Sequence, residues 1–513
     1  MNSLRLAALL VATAACGGTA PNAPPKPAGP AAPPAPPASP ARTDPLAEAP
    51  PRGITPDAPF PRIVHRELAN GLKLRIVPRK AYPVVEFRLI VFSGQASDEQ
   101  QPGLAAVAGE MLKAGGAGPW GARELVDQAE SLGADLNVLT DRDSTRVTLG
   151  VTTANVNAAL DLLGAVAQRP RFSPVEFGKL RQREIERVKS SARASAGWAA
   201  SMVLYRELYE LPTSIHPYAR YDALPADFEK LTLEQVRSWH RRHFTPRNAV
   251  LVIAGDVDPG AIEKSVAEVF KGWKGERPAP TSFSDPMPDP EQTLFVVDRP
   301  GSGQSQVYVG MLGPERQSED WTALVATNQI LGGGVSGRLF MDVREKRSLA
   351  YSTGSSVEEP AHARVPIVLS AGTQTAKTAL AVKALLENLE KIGKTAPSDA
   401  ELETASRYLS DSFLFRMETA GAIAELTTRL AVLDLPDDYY DEYRKAVRKL
   451  DATRVGKTAE RYFQPKGAVV VVAGDASKIA KPLTHFGKVT IIDPEQGFAV
   501  GQQLPHDPGQ KIE

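Results

Sequence analysis

A repeated pattern of residues constrains the fold of this chain more than any other feature. Residues 242–256 read RHFTPRNAVLVIAGD, and residues 461–475, which begin 219 positions later, read RYFQPKGAVVVVAGD. Two further pairs match at the same offset, namely 231–240 with 450–460, and 105–112 with 324–331. Three matches at one offset indicate an internal duplication of roughly 200-residue units. This period is too long for a solenoid, so we expect two related domains.

Each repeat has the pattern of an α+β domain. Strands are predicted where branched apolar residues cluster, and helices where apolar residues recur every three to four positions. Ser173 and Thr232 are the expected N-caps of two of these helices. The predicted strands are 84–92, 146–151 and 249–254, then 306–312, 365–371 and 468–473. The predicted helices are 104–114, 122–132, 156–167, 174–191, 199–210 and 233–243, then 321–331, 376–392, 399–417 and 455–462.

The first 60 residues do not read as part of the fold. Arg5, the apolar run 6–11 and the small residues that end at Cys16 are typical of a secretion signal, 1–15. The segment is similar to the lipobox of bacterial lipoproteins, which would make Cys16 a lipid anchor; Thr13 departs from that pattern. The alternative is a plain secretory signal cleaved nearby. Sixteen of the 43 prolines lie between positions 21 and 61, which predicts an extended tether over 16–60.

The rest of the chain divides at a proline-rich segment. Five prolines lie between positions 275 and 291, and we expect an interdomain linker at 276–291. The first domain is then 61–275 and the second 292–495. Residues 496–513, rich in Gly, Gln and Pro, are expected to form a loose tail.

Composition excludes several classes of function. The 60 basic residues balance the 60 acidic residues, so nucleic acid is not an expected partner. The single cysteine can form neither an internal disulfide nor a cysteine-based metal site.

At residues 331–351, LGGGVSGRLFMDVREKRSLAY, the chain resembles the M16 peptidase family, which includes insulinase, pitrilysin and mitochondrial processing peptidase. The Ala-Gly-Asp that ends the last strand of each repeat and residues 216–218 (HPY) add to this resemblance. It covers nearly all of residues 60–495. It implies two homologous domains, each an antiparallel-rich sheet packed against helices, that together form a half clamshell.

Active members of this family carry an inverted zinc motif, H-x-x-E-H, on the first long helix. Two histidines four residues apart share a helix face and can bind zinc, while the glutamate activates a water. The corresponding positions here are Ala106, Gly109 and Glu110, so both histidines and the base are missing. The family's third ligand is a later glutamate, for which Glu184 and Glu186 are the candidates. We expect no metal bound by this chain.

The other histidines do not suggest a replacement site. His240 and His243 lie three residues apart on a predicted helix without an acidic partner, and are expected to be half-exposed surface residues. His216 precedes a proline and is expected to be structural. His65, His362, His485 and His506 are scattered singly. No G-x-S-x-G elbow is present.

The resemblance instead assigns roles to the second domain. Arg344 and Tyr351 match an Arg and a Tyr that reach toward substrate in active relatives, and Gly332, Gly333 and Gly334 match a loop that can touch substrate. A guanidinium can donate to a peptide carbonyl, and a phenol to a developing oxyanion. The alternatives are a solvated charged helix end, a strand tyrosine with a satisfied hydroxyl, and a glycine helix terminus.

The pattern therefore favours the non-zinc subunit of a heterodimeric zinc endopeptidase. Its expected partners are an H-x-x-E-H-bearing M16 subunit, which would bring the zinc, and a peptide substrate. Its expected location is the bacterial cell envelope, facing the periplasm, with the lipid anchor as the only membrane contact; the outer membrane is one candidate. Two alternatives stay open: a non-catalytic scaffold or binding protein of an envelope complex, and an autonomous peptidase with a displaced metal site.

Overall fold

A computed structural model describes residue 53 and residues 58–98, 100–212, 214–281, 283–287 and 292–512. The predicted signal sequence, Cys16 and most of the tether lie outside these residues. From residue 58 onward the described residues belong to one compact unit, 57–513.

Two β-sheets are built from the two halves of the chain. Their strands are rich in Val, Ile and Leu, which suit a buried pleated surface. The first sheet contains β1 (Val64–Glu67), β2 (Lys73–Pro78), β3 (Val84–Val91), β4 (Asn137–Thr140), β5 (Thr145–Thr152) and β6 (Ala249–Gly255). The second contains β7 (Thr293–Asp298), β8 (Gln304–Glu315), β9 (Ala350–Val357), β10 (Arg364–Gln374), β11 (Val469–Gly474), β12 (Val489–Asp493) and β13 (Ala499–Leu504).

The helices pack apolar stripes onto these sheets and onto one another. Those of the first half are α1 (Leu104–Ala114), α2 (Ala122–Ser131), α3 (Val156–Gln168), α4 (Pro174–Ala194), α5 (Ala196–Leu208), α6 (Pro225–Lys230), α7 (Leu233–His243) and α8 (Pro259–Phe270). Those of the second half are α9 (Trp321–Gly332), α10 (Thr378–Lys394), α11 (Asp399–Asp411), α12 (Ala420–Val432), α13 (Tyr439–Arg448), α14 (Ala452–Tyr462) and α15 (Ala476–Leu483).

Five strands of each sheet follow the same order, β2-β6-β3-β5-β4 and β7-β11-β8-β10-β9, which agrees with the predicted duplication. The first runs β1-β2-β6-β3-β5-β4, and the second runs β13-β12-β7-β11-β8-β10-β9. In each sheet, the strand that leads into Ala-Gly-Asp, β6 or β11, pairs parallel to β2 or β7 and antiparallel to β3 or β8. Every residue of β6 and β11 is buried, because both faces of these central strands are covered.

Most predicted elements occur within a few residues of their expected bounds, and both N-caps are confirmed. The Ser173 Oγ accepts from the Glu176 amide at 3.4 Å, and the Thr232 Oγ1 from the Gln235 amide at 3.3 Å. One predicted helix, 399–417, is wrong in its second part: α11 ends at Asp411 and a tighter 3₁₀ segment, Ser412–Met417, follows. The tighter winding turns two side chains of this segment, Phe413 and Met417, into an apolar core below the first sheet.

The expectation of a loose tail is also wrong for part of residues 496–513. Residues of β13 pair antiparallel with β12 and extend the edge of the second sheet. The side chains of β13 are mostly exposed, so the strand is held by backbone hydrogen bonds. Composition, which reports on apolar burial, therefore did not reveal it.

One helix of each half packs on the sheet of the other half. Leu204 and Leu208 of α5 join a core with the second-sheet residue Val471. Ile423 of α12 joins a core with Val250 of the first sheet. These helices occupy equivalent places in the two halves, each following the long helix α4 or α11. The exchange makes each sheet depend on a helix from the other half.

Candidate functional site

A cleft of about 740 Å³ opens beside α1 in the first half. Its walls come from α1, α4, the turn between β4 and β5, and residues that follow β9 in the second half. Charged and aromatic side chains dominate this lining, among them Glu110, Arg142, Asp143, Arg183, Glu184, Arg187, Trp198, Tyr205, Tyr221, Asp222 and Glu358. The degenerate metal-motif positions Ala106 and Glu110 lie in this wall.

Gly109 stands at the position of the motif's catalytic base, and a neighbouring side chain fills the space beside it. A Cβ atom at Gly109 would lie 2.2 Å from the Thr140 Oγ1 of β4. The Thr140 hydroxyl itself lies 3.2 Å from that of Thr145. A side chain at position 109 would therefore require the Thr140 hydroxyl to turn away, because in this chain it occupies the space that the glutamate base would need.

Glu110 faces a guanidinium. Its Oε2 lies 3.6 Å from the Arg183 Nη2, and Arg183 also approaches Glu184 at 3.6 Å. Burial raises the pKa of Glu110, while Arg183 lowers it and Glu184 raises it further. The negative charge of the Glu110 carboxylate is therefore balanced by the Arg183 guanidinium.

Glu184 lines the cleft, whereas Glu186 does not. The Glu184 side chain is 16% exposed and accepts from the Arg187 Nε at 2.6 Å. Arg187 also donates to both carboxylate oxygens of Asp222, at 2.8 and 3.0 Å, and these hydrogen bonds raise the pKa of Arg187. Glu186 is 59% exposed and pairs with Lys189 on the outer face of α4. Of the two candidates, Glu184 holds the position nearest the degenerate motif.

The glycines after α9 have different environments. A Cβ at Gly332 would lie 2.6 Å from the Ser355 amide nitrogen of β9, so this glycine permits close packing of the helix end on the strand. The Gly333 amide donates to the Asn328 carbonyl at 3.0 Å and closes the helix. Gly334 is exposed. Gly332 and Gly333 therefore match the alternative of a glycine helix terminus. Of the three glycines, only Gly334 is exposed and can contact a ligand.

Arg344 and Tyr351 lie near each other in the fold and away from the cleft. Arg344 belongs to the widened helical turn Phe340–Lys346, which packs against β9. Its side chain is 46% exposed, 3.7 Å from Glu345 and 4.8 Å above the Phe340 ring. Neither Arg344 nor Tyr351 lines the cleft that contains the motif positions.

A β-bulge aims Tyr351 outward. Ala350 pairs with Thr373 and Ser352 pairs with Gly372, so Tyr351 is the extra residue on the edge strand β9. Its ring lies against Gly372, where a Cβ would come within 2.6 Å of the tyrosine, and the side chain is 57% exposed. Bulges often redirect side chains at functional sites.

Two family models match this chain. Residues 77–210 match "Insulinase (Peptidase family M16)", and residues 230–409 match "Peptidase M16 inactive domain". The chain belongs to the M16 peptidase family.

Individual M16 relatives are distant but cover most of the chain. The zinc protease PqqE of Helicobacter pylori is 23% identical over 79% of this chain and 91% of its own length. The crystal structure of an M16 inactive domain from Pseudomonas fluorescens superposes with a TM-score of 0.74 at 25% identity, over 80% of this chain and 98% of that one. The periplasmic protease PqqL from Escherichia coli has a TM-score of 0.66 at 15% identity, over 83% of this chain and 49% of its own.

The M16 zinc site does not fit the residues present in this chain. Its base position is closed by Thr140, and arginines bind the carboxylates nearby. Within the described residues, no group of three His, Cys, Asp or Glu side chains could hold a metal ion. Motif comparison missed Thr140, Arg183, Arg187 and Asp222. The spacing of Arg183, Glu184 and Arg187 on one helix was the only local signal.

The expectation that His240 and His243 are half-exposed is wrong, since both are buried. The His240 ring stacks on Phe244 at 4.7 Å and the His243 ring on Trp239 at 4.6 Å, because this face of α7 packs inward. Burial lowers the pKa of each histidine to about 4. His216 has a structural contact, as predicted: its Nδ1 accepts from the Tyr218 amide at 3.1 Å.

Proposed function

We propose that this chain is the non-zinc subunit of a heterodimeric M16 zinc endopeptidase. The observation that carries the proposal is a contrast between the halves. The metal position of the first half is closed at Gly109 and neutralised by arginines, while Arg344 and Tyr351 of the second half are exposed. An M16 partner with an intact H-x-x-E-H motif would bring the zinc.

The exposed pair has the chemistry that such a site needs. The Arg344 guanidinium can hold a peptide carbonyl by donating hydrogen bonds, and the Tyr351 hydroxyl can donate to the oxyanion that forms at the scissile bond. Zinc in the partner would supply the activated water. Gly334 lies in the same segment and can approach the peptide backbone, because it has no side chain.

We also propose a lipid anchor at Cys16 and a position facing the periplasm. The signal-like start, the small residues before Cys16 and the proline-rich tether support this. In the part of the chain that the structure describes, no helix is long and apolar enough to cross a bilayer.

Co-expression with an H-x-x-E-H partner tests the function. The expected result is peptide cleavage that needs both chains and is lost with a chelator. Tyr351→Phe should lower kcat by about 100-fold, whereas Tyr82→Phe, a matched change at an exposed tyrosine that lines neither pocket, should not. Lys346→Ala is the corresponding control for Arg344→Ala, since Lys346 is an exposed cation in the same turn.

Two outcomes would contradict the proposal. Chelator-sensitive cleavage by this chain alone would show an autonomous peptidase with a displaced metal site. Full activity of the heterodimer with Arg344→Ala and Tyr351→Phe combined would remove the roles of these residues. Stable isolation of the chain with another envelope assembly, and never with a peptidase, would favour the scaffold alternative.

A further inference from the structure

The second half contains a cavity at the place that corresponds to the charged cleft of the first half. Val325 and Asn328 of α9 stand 219 positions after Ala106 and Gly109 of α1. Both line a cavity of about 190 Å³. The duplicated helix therefore borders a pocket in each half, but the second pocket is much smaller.

Six aromatic side chains line this smaller cavity, beside aliphatic, polar and charged ones. They are Trp321, Tyr408, Phe413, Tyr439, Tyr440 and Tyr443. Contacts outside the cavity hold them in place: Arg316 lies 3.9 Å above the Trp321 ring and donates to the Tyr439 hydroxyl at 2.6 Å. The Tyr440 hydroxyl donates to the Leu426 carbonyl at 2.9 Å. A pocket with rings held this way needs little rearrangement before it accepts a ligand.

A polar group of the wall has an unmet hydrogen bond. The Asn328 Oδ1 is buried and accepts no hydrogen bond from the described residues. Buried acceptors are normally satisfied by protein, water or ligand. An N–H or O–H group bound in the cavity would satisfy this oxygen once the carboxamide turns its Oδ1 toward the cavity.

Size and charge restrict the ligand. An apolar cavity of about 150 Å³ holds benzene, so one of about 190 Å³ has room for a phenol or an indole. Glu359 of the wall already accepts from Arg429 and lies 3.6 Å from Arg316. Arg416 is a further cation of the wall, and a guanidinium is attracted to the face of an aromatic ring. With the carboxylate paired and this cation present, the cavity disfavours a cationic ligand and suits an uncharged ring.

We propose that this cavity is a binding site for a neutral aromatic ring that carries a hydrogen-bond donor, a phenol or an indole. The ring packs among the tyrosine rings, and its N–H or O–H group donates to Asn328. The ring comes either from a free small molecule or from a Tyr or Trp side chain of a peptide. This site is independent of Arg344 and Tyr351, so it does not rest on the peptidase role.

Calorimetry with indole and phenol on the purified chain tests the proposal. Saturable binding with a Kd of about 1 mM or tighter is expected. N-methylindole, which lacks the donor, should bind about tenfold more weakly, as for the loss of roughly one hydrogen bond. N-acetyltryptophanamide and N-acetyltyrosinamide distinguish the sources: tighter binding of these amides indicates a peptide side chain, and exclusion of the amides indicates a free small molecule.

Substitutions in the cavity wall test whether indole binds at this site. Val325→Phe fills the cavity and should abolish indole binding, whereas Ala106→Phe, the equivalent change in the first half, should leave it unchanged. Asn328→Leu should remove the preference for indole over N-methylindole, and it serves as the test if Val325→Phe fails to fold. Absence of saturable binding, indole binding that survives Val325→Phe, or equal affinity for indole and N-methylindole would overturn the proposal.

Discussion

The two halves have equivalent helices, α1 and α9, and the same order of their five common strands, yet the pockets beside these helices differ. Beside α1 lies an open cleft of about 740 Å³ with arginine–carboxylate pairs, and beside α9 lies an aromatic cavity of about 190 Å³. The family's metal-motif positions, Ala106, Gly109 and Glu110, correspond to Val325, Asn328 and Gln329. The duplicated backbone therefore does not dictate the chemistry of its pocket, which depends on a few side chains contributed by several elements.

The exchanged helices limit how independent the two halves are. Leu204→Ala in α5 and Ile423→Ala in α12 each create a cavity at a fully buried position, and each should lower the free energy of unfolding by about 2–5 kcal/mol. Both should shift a single cooperative transition in urea, measured by circular dichroism. Val175→Ala, at an exposed position, is the control. Two separate transitions, only one of which moves, would show that the halves unfold independently.

The ion pairs near the two pockets should differ in how much they contribute to the free energy of unfolding. Arg316 is 2% exposed and faces Glu359, whereas Arg187 is 40% exposed and pairs with Asp222. Arg316→Met should therefore cost about 3 kcal/mol of stability, since it removes a buried guanidinium and leaves Glu359, which is 19% exposed, with Arg429 as its remaining partner. Arg187→Met should cost about 1 kcal/mol or less. Equal losses in urea unfolding would contradict this difference between the halves.

Acid should destabilise the first half through two buried histidines that the second half lacks. The positions equivalent to His240 and His243 are Ala459 and Tyr462. The pKa of each histidine is lowered to about 4, so between pH 6.5 and 4 the unfolded chain binds more protons than the folded one. The contribution of these two histidines to stability is thus complete above pH 6.5 and is lost as the pH drops, by about 2 kcal/mol per histidine at pH 5.

Chemical denaturation at pH 7 and pH 5 measures this effect. His240→Phe should reduce the loss between the two pH values, although it also removes the hydrogen bond to the Ala167 carbonyl. His485→Phe, which changes a histidine of the second half, should leave the loss unchanged. An unaltered pH dependence in His240→Phe would show that the acid sensitivity comes from other groups.

The smallest effect is expected at the glycine-rich segment of the second half. Arg338 donates to both oxygens of Glu401, at 2.7 and 3.1 Å, and lowers the pKa of this carboxyl to about 2. The pair is partly exposed, so Glu401→Gln should cost about 1 kcal/mol at pH 7. Because the folded pKa is depressed, this cost should shrink as the pH falls from about 4.5 toward 2. Urea titrations across that range provide the measurement, and a cost independent of pH would contradict it.

Parts of the candidate site were predictable because their signal is local. The loss of the motif at Ala106, Gly109 and Glu110 can be read from one helix. In contrast, Thr140 reaches this helix, and Asp222 reaches the same cleft through Arg187 of α4, each from a distant part of the chain. The choice between Glu184 and Glu186 also needed the structure, because either face of α4 could have packed inward.

Spacing and neighbours along the chain were enough to predict the duplication, most of the helices, the central strands of both sheets, the N-caps Ser173 and Thr232, and the absence of the zinc motif. Only the tertiary structure decided that α5 and α12 exchange sheets. The apolar face of either helix could be buried against either sheet, because the hydrophobic effect is non-directional. The choice follows from shape: Gly310 of the second sheet lets Leu204 approach closely, and a Cβ there would lie 2.6 Å from the leucine Cδ1.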